Sequence, residues 1–241
     1  MLIIQVPNSS GLSVPAAPKL NIPAYEKAVM ASGAVMTVID PATNPPANTW
    51  FRARVGSATW RHGGTIAARA ELNNKPGVVL PAAVSSLGVT SPFAAAEYTL
   101  ICPVRVTADG QLLGVGAHRV RSVGTALECK LAHNYGPALT AQLGSPSVGT
   151  TRLLAWSWSS AARTMAMMIN GASAGVSAVQ ATDTNAAYPV AGLLAYNSAA
   201  DGAAAIFGDI VVLAKAAHID PRPTMAVLAA MSSKYGIPLG V

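Results

Sequence analysis

The feature that most restricts this chain is its punctuation. From about residue 50 onward, apolar runs of six to eleven residues alternate with turn residues: "TWFRARV", "TIAARAEL", "GVVLPAAV", "EYTLICPVRV", "QLLGVGA", "RVRSVG", "ALECKLAH", "ALTAQLG", "TRLLAWSWS", "TMAMMING", "AGLLAYNS" and "IFGDIVVLAKA". About a dozen short runs, bounded by Gly, Pro, Asn, Asp and Ser, predict a β-sandwich rather than a helical fold. Two turns carry hairpin signals, "TADG" at Thr107 to Gly110 and "MING" at Met168 to Gly171. In each, Asp-Gly or Asn-Gly supplies the positive φ angles of a type I′ turn. No repeat of solenoid or propeller period interrupts this pattern.

One helix is specified, near the C-terminus. Asp220 suits the N-cap and Pro221 the first helical position, where a missing N–H costs nothing. Met225, Leu228, Ala229 and Ser232 form one stripe, and Leu228, Met231 and Tyr235 a more apolar one. Lys234 complements the dipole in the last turn, Gly236 is the left-handed C′ residue and Pro238 prevents continuation. The predicted helix spans 221–235 and lies as a lid on the last strand's sheet. Earlier, "YEKAVMASGAVMTVID" starts with good helix formers, but Ser32-Gly33 interrupts it and the reading is a strand from Ala34 to Ile39.

Ahead of that strand, "MLIIQVPNSSGLSVPAAPKLNIPA" holds four prolines among Ser, Asn and Gly, the composition of an extended arm. The expected organisation is therefore an arm with first strand over 1–45, docking onto partner subunits, and a sandwich domain over 46–241. Composition agrees: the chain is 51% hydrophobic, largely Ala and Val, and only 11% charged. A soluble domain usually carries about 25% charged residues. So sparse a surface fits one partly covered by neighbouring subunits, and a homo-oligomer is expected. No run reaches the roughly 18 apolar residues of a membrane helix. "MLIIQVPNSSG" lacks the basic start of a secretory signal, and Pro7 would break its apolar run. The expectation is a chain that is either cytosolic or exported by another route, such as inside a particle assembled in the cytoplasm, without membrane insertion.

The net charge of +6 raises the question of nucleic acid. The basic residues are scattered, however, and the two clusters, Arg52 with Arg54 and Arg119 with Arg121, alternate with apolar residues. That spacing puts each pair on the exposed face of a strand, and no nucleic-acid motif accompanies them. Cys102 and Cys129 lie inside strand-like runs without zinc-ligand spacing and read as buried, reduced core thiols.

The order of elements now resembles a known family. Trp156 and Trp158 on one strand, Asn170-Gly171 ending the next, Phe207-Gly208-Asp209 opening the closing strand, and a helix ending Lys234-Tyr235-Gly236 are similar to the concanavalin A-like jelly roll in its laminin G-like form. Bacteriophage structural proteins of this type, and bacterial surface proteins, often add a short C-terminal helix with this ending, and the usual state of such proteins implies a trimer. The resemblance covers roughly residues 50 to 237. It implies an all-β jelly-roll sandwich with one short C-terminal helix, carried here behind an extended N-terminal arm.

Catalysis is not legible. The ten acidic residues include no two that lie two or four apart, so no strand presents the paired carboxylates of a glycosidase. His62, His118, His133 and His218 are mutually isolated, no Ser sits in a Gly-x-Ser-x-Gly elbow, and no phosphate loop is present. Asp183 and Asp201 have no second acid nearby to build a calcium site. No enzyme, metal or cofactor is therefore expected. Sugar stacking is the chemistry the aromatics can offer. Trp156 and Trp158 read as core, leaving Trp60 with Arg61 and His62 before Gly63-Gly64, Tyr135 in "HNYGP", and Tyr196 with Asn197 as loop candidates for glycan contact. The resulting expectation is a non-enzymatic bacteriophage virion protein at the tail tip, baseplate or fibre, contacting host-surface carbohydrate. The alternative is a capsid decoration protein of the same fold, and a glycoside hydrolase or bacterial adhesin comes last.

Overall fold

The run from Glu97 to Ala108 is apolar on both of its faces, so a strand built from it needs cover on both. In the computed structural model it has that cover, and the fold is organised around it. The structure describes residues 24–42, 50–52, 59–63, 67–80, 86–89, 94–115, 118–131, 139–178, 188–189, 192–193 and 203–240. In chain order the elements are α1 (Ala24–Ala31), β1 (Val35–Ile39), β2 (Trp50–Arg52), β3 (Thr59–Gly63), β4 (Ala67–Leu72), β5 (Lys75–Leu80) and β6 (Ser86–Val89). Next come β7 (Ala94–Ala95), β8 (Glu97–Ala108), β9 (Gly110–Val115), β10 (His118–Val123), β11 (Ala126–Leu131), β12 (Leu139–Gln142) and β13 (Thr151–Ser159). The chain closes with β14 (Thr164–Ile169), β15 (Ala172–Ala178), β16 (Tyr188–Pro189), β17 (Gly192–Leu193), β18 (Ala204–Phe207), β19 (Ile210–Leu213) and α2 (Pro221–Tyr235).

One sheet runs β15-β14-β13-β8-β18-β5-β4, with β19 continuing alongside β8 and β1 pairing β19. The other runs β12-β11-β10-β9-β17-β6-β3-β2. All strand pairings within the two sheets are antiparallel, as a jelly-roll sandwich requires. Between them lies one core, in which Tyr98, Leu100, Trp156, Trp158, Met165 and Phe207 meet Leu112, Val120, Leu127 and Cys129. A second core covers the back of the first sheet. There Ile101, Leu153, Ala155, Val211 and Leu213 pack under Val29 of α1 and Val227, Leu228, Met231 and Tyr235 of α2. The nine-stranded sheet is thus the middle of three layers.

The terminal helix forms as its caps dictate. The Asp220 carboxylate accepts from the Arg222 N–H, and Gly236 sits at φ 64° with its N–H donating to the Ser232 carbonyl. Its buried stripe is Thr224, Val227, Leu228, Met231 and Tyr235, which is the second of the two expected stripes, widened by Val227. A second helix stands beside it. In α1 the helix formers before Ser32-Gly33 prevail, because those residues end the helix instead of preventing it: Ser32 Oγ donates to the Val29 carbonyl and Gly33 takes φ 66°. β1 follows at once and joins the sheet edge, Val38 opposite Val211. Residues 1–23 lie outside the described residues, as does the expected arm with them.

The two turn signals part company. Asn170 and Gly171 adopt φ 51° and 84° and join β14 to β15 as a two-residue hairpin loop. Asp109-Gly110 does not make a hairpin, because β8 belongs to one sheet and β9 to the other. It is a corner, where Asp109 accepts from Ser122 Oγ (2.5 Å), Ser147 Oγ (2.8 Å) and the Gly124 N–H (2.8 Å). The closing run "IFGDIVV" is likewise two strands, broken at Gly208-Asp209. The break faces Pro103, which has no N–H to give and whose carbonyl accepts from the Gly208 N–H at 3.0 Å.

Candidate functional site

Two motifs far apart in sequence, Phe207-Gly208-Asp209 and Lys234-Tyr235-Gly236, meet beneath the helices. Gly208 has no room for a side chain: a Cβ there would lie 2.6 Å from Pro103 Cγ and from the Tyr235 ring. That closeness lets the Asp209 N–H donate to the Tyr235 hydroxyl at 2.8 Å. Lys234 Nζ reaches Asp209 Oδ2 at 2.5 Å and lies over two rings, 4.8 Å from the centre of Tyr25 and 5.4 Å from that of Tyr235. The Tyr25 hydroxyl, also buried, faces the Asp209 carboxylate without closing a well-formed hydrogen bond. Strand pairing adds a second acid. Ile39 stands opposite Ile210, so Asp40 comes beside Asp209.

Sequence spacing could not reveal these two carboxylates, since they come from opposite ends of the chain. Their chemistry is that of a lock. Burial pushes the Asp209 carboxyl up and Asp40 adds to the rise, while Lys234 pulls it down. Burial also raises both tyrosines. Asp209 is 1% exposed and Asp40 6%, so neither can approach a glycosidic bond from outside.

A second polar group sits on the same covered face. His218 Nδ1 and Nε2 lie 2.7 Å from Ser157 Oγ and from Thr164 Oγ1 respectively. The Ser–His pair has the spacing of a nucleophile and base, but Ser157 is 1% exposed. Burial lowers the His218 pKa, with Glu97 opposing. The imidazole joins the segment before α2 to β13 and β14, a hydrogen-bonded structural role. Cys102 and Cys129 are both free and buried, and burial pushes each thiol up to about 12, which makes them inert core residues. Trp156 and Trp158 are core as expected, and the Trp156 Nε1–H donates to Cys129 Sγ at 2.9 Å. Among the described residues, no group of three His, Cys, Asp or Glu is placed to hold a metal ion.

One sheet is roofed by helices, and among the described residues the outer face of the eight-stranded sheet carries an exposed stretch. Val120 and its partner Cys129 point into the core, and Arg121, next along β10, is exposed. Exposed Val123, Thr140 and Gln142 complete that end of the face. Trp60, Arg61 and His62 belong to this same sheet. They form strand β3 and not a loop: Trp60 stands opposite Phe51 and Val89, Arg61 opposite Trp50 and Gly88, and His62 opposite Leu87. The run escaped notice as a strand because "TWRHG" contains only one large apolar residue. Tyr135, Tyr196 and Asn197 lie outside the described residues.

No family model and no curated protein matches the sequence. Solved structures do. The binding domain of botulinum neurotoxin DC, described in complex with SialylT, superposes with a TM-score of 0.61 at 11% identity over 83% of this chain and 52% of that one. A structure of botulinum neurotoxin type C, whose cell entry is described as dependent upon interaction with two ganglioside molecules, gives 0.56 at 10% identity over 82% and 53%. Trypanosoma rangeli sialidase gives 0.53 at 9% identity over 84% and 33%. The chain spans about half the length of these toxin chains. At such identities the likeness shows the fold: a β-sandwich of the jelly-roll kind.

Proposed function

We propose that this chain is a non-enzymatic, lectin-like binding module of a bacteriophage virion, placed at a tail tip, baseplate or fibre and engaging carbohydrate on the host surface. The observation that carries the reading is the asymmetry of the sandwich, in a fold shared with receptor-binding domains. One sheet is closed by helices over a lock of buried polar groups, and the other exposes Arg121, Val123, Thr140 and Gln142 on its outer face. The virion setting is supported by the sequence resemblance, above all the closing helix ending Lys234-Tyr235-Gly236. A glycan array probed with the full chain tests the ligand class. Binding to one or a few related glycans supports the reading, and an array without signal sinks it.

A second reading, a capsid decoration protein, is favoured by one local observation. Met30 and Ile219 are 57% and 52% exposed near a groove of about 380 Å³ lined by Ala28, Ala31, Pro223 and Ala226 together with Ser32, Asp220 and Arg222. Residues 1–23 lead directly into that helix pair. Here the arm of a neighbouring copy would dock, and a full chain that stays monomeric at high concentration would speak against it.

A further inference from the structure

We propose that Lys234 and Asp209 are the partners of a spontaneous intramolecular amide bond, which fastens α2 covalently to the closing strand beneath it. The bond would form whatever the sandwich binds. Contact is already made: Lys234 Nζ lies 2.5 Å from Asp209 Oδ2, with Asp209 just before β19 and Lys234 in the last turn of α2. Both groups are held from behind. The Asp209 N–H donates to the Tyr235 hydroxyl at 2.8 Å, and Gly208 has no space between Pro103 and the same ring. The amine is seated over the rings of Tyr25 and Tyr235, 4.8 and 5.4 Å from their centres. Groups positioned like this react as though at an effective concentration on the order of 10⁵ M or more.

In water a lysine and an aspartate meet as ammonium and carboxylate, which do not condense. Burial changes that. Asp209 is 1% exposed, and desolvation pushes its carboxyl up, with Lys234 opposing and Asp40 adding to the rise. In a dry pair, one proton passing from Nζ to the carboxylate leaves a neutral amine beside a neutral acid, the reactive combination. Two buried oxygens have no hydrogen-bond partner, Asp209 Oδ1 and the Tyr25 hydroxyl that faces this carboxylate. Orphaned polar atoms are costly in a pair that serves only as a lock. In a reaction both have a use, since the carboxyl oxygen gains charge as Nζ attacks and a phenolic O–H stabilises it.

The step balances without an oxidant, cofactor or second substrate. Nζ attacks Asp209 Cγ, the Nζ–Cγ bond forms, and one Cγ–O bond breaks. The departing oxygen leaves as water, with two protons that began on the ammonium, and the third stays on the amide nitrogen. Asp40 is the proton carrier for this transfer. The pairing of β1 with β19 brings it beside Asp209, it is 6% exposed, and one of its oxygens accepts from the Ala42 N–H at 2.8 Å. The product replaces a buried ion pair with a neutral amide and ties the lid helix to the sheet.

The test is the intact mass of the full chain, purified and then held folded for several days near neutral pH. The expected mass is one water, about 18 Da, below that of the sequence. After denaturation, trypsin should fail to cut after Lys234, and the peptide containing Lys234 should be joined to the one containing Asp209. Lys234→Arg keeps the positive charge without an amine to acylate, and Asp209→Ala removes the carboxyl, so both should keep the full mass. Asp40→Asn and Tyr25→Phe leave both reacting groups in place and should slow the loss of water by about tenfold or more. Thermal melts confirm that each variant folds. A wild-type chain that keeps its full mass and is cut after Lys234 overturns the inference, whatever the variants do. So does a dehydration that Lys234→Arg retains, the mark of a cyclised Asp-Gly at Asp109-Gly110 or Asp201-Gly202. Undiminished conversion in Asp40→Asn would overturn the part given to Asp40.

Discussion

The two outer faces of this sandwich are opposites. Behind the nine-stranded sheet, two helices cover an apolar surface, and two buried polar groups beneath them are held in place: Asp209 by Lys234, His218 by Ser157 and Thr164. On the eight-stranded sheet, Arg121, Val123, Thr140 and Gln142 are exposed along one stretch of the outer face. The first arrangement stabilises the fold. The second leaves side chains to solvent, and it is there that binding is to be sought. The comparison teaches that the helix lid assigns roles to the faces by closing one of them.

The largest expected effect falls on the closed face. Tyr235→Ala removes a buried ring that fills the space above Gly208, and should cost about 3–5 kcal/mol in chemical denaturation. Gly208→Val should be as damaging, because the new Cβ meets Pro103 and Tyr235 at 2.6 Å. Lys234→Met comes next. It leaves Asp209 buried and unpaired, at about 3 kcal/mol, the low end for a broken buried pair because Lys234 is 25% exposed. The double variant with Asp209→Asn should recover much of that loss. Folded variants of this group should still bind whatever the open face binds.

Acid titration sharpens the contrast within the structural parts. The folded pKa of Asp209 is raised by burial, so its contribution to stability is fullest below the unfolded value of about 3.8 and declines as pH rises through the folded value. At the exposed corner, hydrogen bonds from Ser122, Gly124 and Ser147 lower the pKa of Asp109. Its contribution is therefore present above about pH 3.8 and is lost as pH falls through the folded value. Asp109→Asn should accordingly lower the melting temperature at pH 7 and leave it unchanged near pH 2.

Much of this was legible in the sequence, and what was not has physical reasons. The terminal helix and the Asn170-Gly171 hairpin rest on local backbone rules, which tertiary structure leaves alone. Asp109-Gly110 obeys the same rule of composition but makes a corner, because a turn dipeptide does not say which sheet the next strand will join. β3 and β15 are poor in large apolar residues, as "TWRHG" and "ASAGVSA" show, so no hydrophobic alternation marked them. The glycan candidates Trp60, Arg61 and His62 therefore carry no strand signal of their own. The lock was invisible for another reason: Asp40 and Asp209 are neighbours only because β1 pairs with β19. Arg119 and Arg121 looked equivalent at period two, and only the register shows that one opposes Lys130 and the other Glu128.

The division of work between the two faces is tested most directly by amide hydrogen exchange with and without a glycan that the array shows to bind. Binding on the eight-stranded sheet adds protection in β3, β6, β9 and β10 and leaves α1 and α2 unchanged. Protection confined to α1, α2 or the corner at Asp109, with those four strands unaffected, would contradict it.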